Sequence, residues 1–236
     1  MCTLARDLAV PLVIAALALS ACAADPEPAA STPPPAASRA PSPTPTPTRP
    51  ALDELVLEPG GLGYIRIGSP VPEVDPALAI VEWDGTACQW DGYPAEGEPY
   101  VGYWRSVYPA DSTANWPDNQ DPYFLLTHGG LVGGAVTLIQ AHWGVTTAEG
   151  IGPGSTRAAL IAAYGSALQA SDHGSITTLY SLTEGSHRIV FEVADDTGDG
   201  YWEPRFVDQV MWMWAESDDR ALYGIAGSDT GGPCPA

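Results

Sequence analysis

The stretch that most constrains this chain is residues 23–50, which are almost entirely Ala, Pro, Ser and Thr and end in Pro41-Ser42-Pro43-Thr44-Pro45-Thr46-Pro47-Thr48. Proline lacks an amide donor and fixes φ, so such a run fits neither a helix interior nor the middle of a sheet. With no large apolar side chains to bury, the segment is expected to be an extended polyproline-II spacer. At about 3.1 Å per residue it would reach several tens of ångströms. Folding is left to residues 51–236, enough chain for one substantial core or two small ones.

Before the spacer, Leu8 to Leu19 form a short apolar run. It fits the roughly 7–15 residues of a signal-peptide core and falls short of the roughly 18 that a membrane-spanning helix needs. The run ends in Leu19-Ser20-Ala21-Cys22, which resembles a bacterial lipobox. The resemblance implies that residues 1–21 are a lipoprotein signal peptide and that Cys22 carries the lipid. Residues 22–50 are then a stalk, and the protein is extracytoplasmic and lipid-anchored to the cell membrane. The Ser and Thr hydroxyls of the stalk offer O-glycosylation sites, and an unmodified spacer crossing a cell wall is the alternative.

The formal net charge is −20 and all nine basic residues are arginine. A chain so acidic repels phosphates, which argues against nucleic acid as a partner. Without lysine there is no P-loop, no Schiff-base chemistry and no Ser-x-x-Lys acyl transfer, because a guanidinium neither deprotonates nor acts as a nucleophile. The expected partners are the membrane, through the lipid, and an extracellular protein or glycan. The bias towards Ala, Gly, Pro, Trp and Arg resembles high-GC actinobacterial proteomes.

Of the four cysteines, Cys2 leaves with the signal peptide and Cys22 is lipidated, so Cys88 and Cys234 remain for an oxidising exterior. A disulfide between them is expected, since neither has a neighbouring zinc ligand. It would tie the C-terminal tail to the first half of the domain. Closing so long a loop is worth up to about 5 kcal/mol on chain-entropy arguments.

Ile65-Arg66-Ile67-Gly68-Ser69 with Val74 echoes Ile151-Gly152-Pro153-Gly154-Ser155 with Leu160. In each copy the Ser can cap a helix whose apolar residue then faces a core. The second helix is the better one, with Leu160, Ile161 and Tyr164 on one face and Gly165 at its end. Pro70, Pro72 and Pro76 shorten the first to a turn or so. Strand patterns follow over Tyr100–Tyr108, Tyr123–Thr127 and Ala135–Gln140, then over Thr177–Leu182, His187–Ala194 and Phe206–Ala215. The expected fold class is α+β: two helix-plus-antiparallel-sheet repeats, over 51–145 and 146–236, that could share a sheet.

A Gly-Ser turn capping a helix and leading into antiparallel strands, the whole repeated, resembles the tandem fold of β-lactamase inhibitory proteins and the related outer-membrane-assembly lipoprotein repeats. The opening Gly61-Leu62-Gly63-Tyr64-Ile65-Arg66-Ile67-Gly68 is similar to a Gly-x-Gly-x-Ile-x-Ile-Gly start found in uncharacterised actinobacterial lipoproteins. The first resemblance implies a binding role through an aromatic-rich sheet face and brings no catalytic residues.

Strand alternation puts Tyr100, Trp104 and Tyr108 on one side of their strand. On another strand it puts Val210, Trp212 and Trp214 on one side, with Met211 and Met213 behind. Tyr100, Trp104, Tyr108, Trp212 and Trp214 are therefore the candidate binding face. Asp195-Asp196-Thr197-Gly198-Asp199-Gly200 resembles the first half of a calcium loop, with Asp195, Thr197, Asp199 and Glu203 as candidate ligands. Phe206 stands where such a loop needs its bidentate Glu, and an acidic turn is the competing reading. No other cofactor is indicated. His128, His142, His173 and His187 share no metal-ligand spacing, and Gly150 to Gly154 lacks the preceding strand of a nucleotide loop. The function expected is a surface-tethered, non-catalytic module binding an extracellular protein. A cell-wall glycan-binding module or a carboxylate-dependent cell-wall hydrolase is the alternative.

Overall fold

A computed structural model describes residues 47–85, 102–108, 123–127, 133–141, 144–173, 176–198 and 200–226, all within one compact unit, Thr46–Ala236. The chain enters through a single 3-10 turn, Leu52–Glu54, and then makes three two-residue strands, β1 (Leu57–Glu58), β2 (Gly61–Leu62) and β3 (Ile65–Arg66). These pair as a small antiparallel sheet whose Leu57, Leu62 and Ile65 are all but fully buried.

The remaining strands are β4 (Val81–Asp84), β5 (Tyr103–Ser106), β6 (Tyr123–Thr127) and β7 (Val136–Ala141), then β8 (Leu168–His173), β9 (Thr177–Glu184), β10 (His187–Ala194) and β11 (Val210–Ser217). Between β7 and β8 lies one helix, α1 (Arg157–Tyr164). The strands form a single eight-stranded sheet in the order β4-β5-β6-β7-β11-β10-β9-β8, in which every pairing is antiparallel. Two four-stranded meanders thus meet along their last strands.

This corrects the expected α+β class. Among the described residues the fold is antiparallel β with one eight-residue helix, and no helix follows Ser69. Pro70, Pro72 and Pro76 remove the amides a helix would need, and Val74, expected on a buried side, is 36% exposed. The helix that does form is capped by Thr156, whose side chain accepts from the Ala159 amide, one residue later than the expected Ser155. Leu160 is fully buried, Tyr164 packs on Phe191 and Ile161 is exposed. Eight residues make only about two turns, which leave room for only a narrow apolar stripe. Cys22, Cys88 and Cys234, and with them the expected lipid attachment and the expected disulfide, lie outside the described residues.

Each Gly-Ser turn is sewn to the first residue of the strand that closes its meander. Gly68 donates to the Val136 carbonyl at 2.8 Å while Ser69 accepts from the Val136 amide at 2.9 Å. Gly154 and Ser155 hold Val210 through the same two bonds, at 2.8 and 2.9 Å.

Both faces of the large sheet are covered. One carries Ile139, Ile189, Phe191, Met213 and Ala215 and packs beneath the small sheet and Leu160 of α1. The other carries Leu138, Val190, Trp212 and Trp214 and packs beneath the turns at Trp202 and Phe206, with Leu222 and Ile225. Removing a side chain of this size from water is worth about 1.5–3 kcal/mol, so continuous apolar runs in β10 and β11 are what a doubly covered pair of strands requires.

Candidate functional site

A cleft of about 670 Å³ opens where the small sheet meets the turn between β9 and β10. Val56–Gly60 form one wall and Leu182, Glu184–His187 and Ile189 the other, with Thr147–Glu149 and Tyr164 closing the end. Its floor belongs to the core, since Leu57 and Ile189 are each only 1% exposed. The Tyr164 hydroxyl donates to Glu149 Oε2 at 2.7 Å and lies 2.6 Å from Thr147 Oγ1. Burial, with the Glu149 carboxylate alongside, pushes its pKa up to about 12. Glu58, Glu149 and Glu184 stand exposed around this floor beside half-buried His187. Sequence reasoning missed the cleft because its residues come from four separate segments with no shared motif or spacing.

The aromatic candidates do not share one surface. Trp104 pairs with Leu125, Leu125 with Ile139 and Ile139 with Ala215, so Trp104 lies on the sheet face that carries Ala215. Trp214 comes directly before Ala215 in the strand and points to the opposite face. There it is 2% exposed, and Trp212 is 8% exposed beside it. Trp104 and Tyr108 are half-buried against the first core; Tyr108 donates to the Pro50 carbonyl at 2.6 Å, and Trp104 packs edge-on against Trp83. Trp104 also lines a second cleft of about 610 Å³ with Tyr64, Val71 and Pro76, although its Nε1 is buried without a hydrogen-bond partner. Tyr100 lies outside the described residues.

Alternation also failed at one position of β11. The register slips so that Glu192 faces Trp212 while Val193 faces Val210, leaving Met211 as the extra residue of a bulge. Val210 consequently joins the core with Met213, and Met211 joins Trp212 and Trp214.

Trp202, which the sequence reading passed over, and Phe206, which it weighed only as a loop position and a strand start, line a hollow of about 410 Å³ with Tyr201, Glu203, Trp212 and Ile225. Trp202 and Trp212 meet at 5.9 Å between ring centroids, and Tyr201 is 53% exposed at the rim. The Tyr201-Trp202 pair directly after the acidic turn was the available signal.

In the acidic turn, the Asp195 carboxylate takes an ion pair from Arg157 Nη2 and a hydrogen bond from Thr178 Oγ1 at 3.0 Å. Glu203 pairs with Arg205 at 3.1 Å, and Asp199 lies outside the described residues. Arg157 also reaches Asp208 at 2.7 Å and Tyr180 at 3.0 Å. Burial alone would lower the Arg157 pKa, but the hydrogen bonds to Asp195, Tyr180 and Asp208 outweigh it and the net shift is upward. Among the described residues, no three His, Cys, Asp or Glu side chains converge to hold a metal ion.

Comparison of the chain with family models, curated proteins and solved structures finds no match.

Proposed function

We propose that the chain is a lipid-anchored, extracytoplasmic binding module that takes a protein partner in the cleft between the small sheet and the β9–β10 turn. The observation that carries this reading is the construction of the cleft: core side chains form its floor, and elements fixed by the two sheets form its walls. Concave, apolar-floored sites with a few polar groups at the rim are where proteins hold ligands. A lipidated Cys22 and a stalk of roughly 3.1 Å per residue would carry that cleft away from the membrane.

Two variants test the reading. Ala148→Trp, at an exposed position of the cleft wall, fills the site without touching the core. The folded variant should lose the protein that residues 23–236 capture from the extracellular fraction, and undiminished capture would remove the cleft as the site. Cys22→Ala should shift the protein from the membrane fraction to the soluble one.

A second reading, a cell-wall glycan module, is favoured by the aromatic hollow. Tyr201, exposed at the rim of the hollow above buried Trp202 and Trp212, offers a stacking face, and Glu203 offers an acceptor for hydroxyls. If that reading holds, protease-treated cell wall should retain the protein and Tyr201→Ala should release it.

A further inference from the structure

We infer that the cleft between the small sheet and the β9–β10 turn receives a positively charged segment of its partner, lysine or arginine side chains laid over the apolar floor. The inference rests on that cleft being the binding site. It follows from where the positive charge of this chain is spent. Arg105, Arg157, Arg188, Arg205 and Arg220 are each paired with carboxylates elsewhere. Arg49 and Arg66 donate to backbone carbonyls. No arginine lines the cleft, whereas Glu58, Glu149 and Glu184 do, exposed and without an ion pair among the described residues.

These carboxylates come from the end of β1, the loop before α1 and the end of β9, so the fold gathers like charges from three places around one concavity. Like charges over low-dielectric walls focus the field and raise the local concentration of the opposite charge. They do not converge as the ligands of a single metal ion. Spread-out positive heads on long apolar stems suit the site better: the stems of lysine or arginine can lie along Leu57, Leu182 and Tyr164 while each head reaches a carboxylate at the rim.

The test uses residues 23–236 and a fluorescent hexalysine peptide, followed by anisotropy at low and high salt. The triple variant Glu58→Gln, Glu149→Gln, Glu184→Gln should weaken binding about tenfold or more at low salt. A control triple, Asp53→Asn, Glu73→Gln, Asp219→Asn, removes the same formal charge from exposed positions outside the cleft and should change it by less than about twofold. Because Glu149 accepts from Tyr164, the double variant Glu58→Gln, Glu184→Gln repeats the measurement with that bond intact. Equal weakening in both triples, or no binding of hexalysine by the unaltered chain, overturns the inference. If the carboxylate triple still captures the partner and Ala148→Trp does not, the cationic assignment falls while the cleft stands. Capture by both removes the cleft itself.

Discussion

Gly68 donates its amide to the carbonyl of Val136 at 2.8 Å, with φ at +81°. Gly154 stands in the same relation to Val210, with φ at +86°. A left-handed residue turns the chain so that its amide and the next carbonyl meet both polar groups of the strand opposite, and a Cβ there costs about 1–2 kcal/mol. Around Gly68 a Cβ would meet nothing within 4 Å, so backbone strain is the whole effect. Gly68→Ala and Gly154→Ala should each lower stability by about 1–2 kcal/mol in urea unfolding. Since the two turns share no partner, the double variant should lose the sum.

Under the second face of the sheet, Arg188 donates to Glu216 Oε1 through Nε at 2.9 Å and Nη2 at 2.6 Å, with side chains 8% and 4% exposed. Arg188 also reaches the Arg220 carbonyl at 2.7 Å. Removing Arg188 takes away the two short bonds to buried Glu216 and leaves that carboxylate to the longer Arg220 Nε contact at 3.3 Å. Arg188→Met should therefore cost about 3–5 kcal/mol, and the double variant Arg188→Met, Glu216→Leu should recover much of it, because apolar side chains need no compensating partner there. Thermal melts of the single and double variants decide this.

Tryptophan substitutions should separate the two faces. Trp214→Ala empties a site in the second core and should cost about 3–5 kcal/mol. Trp104→Phe removes a buried N–H that has no partner while keeping most of the ring contact, so it should be close to neutral. A drop in melting temperature for Trp104→Phe as large as for Trp214→Ala would contradict this placement.

Much of the second meander was legible because its strands are long. Thr177–Glu184 and His187–Ala194 carry enough β-branched and apolar residues to show a strand pattern, and the observed bounds differ from the expected ones by at most two residues. The two-residue strands at Leu57, Gly61 and Ile65 are too short to have a period. In β8, Leu168-Gln-Ala-Ser-Asp-His offers no apolar alternation, since an edge strand pairs on one side only. The Ile-x-x-Gly-Ser echo marked where both turns close, but the helix inferred from it needed amides that Pro70 and Pro72 lack. At the site, period-two reasoning placed Trp212 and Trp214 together and failed at the Met211 bulge, which depends on the partner strand. The cleft could not be read at all, because Glu58, Glu149 and Glu184 become neighbours only through tertiary packing.

Calcium should find little in the acidic turn. Asp195, the first expected ligand, is already neutralised by Arg157 and held by Thr178, so coordination would have to displace both. A calorimetric titration should show no saturable heat. A saturable heat that vanishes in Asp199→Ala would establish the site instead.

Alkaline pH should act on two half-buried tyrosines, Tyr164 and Tyr108. Burial raises Tyr164 to about 12 with help from Glu149, and burial likewise raises Tyr108, opposed by Arg49 and reinforced by Tyr64 and Glu54. In the unfolded chain both hydroxyls ionise near about 10. Between that value and the folded one, the unfolded state has released protons that the folded state still holds, so stability falls as pH rises. The contribution is fully present below about pH 10, is lost as pH passes through the folded pKa, and does not change above it. Melting temperature followed from pH 9 to 12 should therefore decline, at about the same rate in the control Tyr223→Phe, whose hydroxyl belongs to an exposed residue. Tyr164→Phe should flatten the decline, because the residue with the larger raised pKa is gone, and Tyr108→Phe should flatten it less. An unchanged slope in Tyr164→Phe would mean that its hydroxyl is not the half-buried, carboxylate-paired group that closes the end of the cleft.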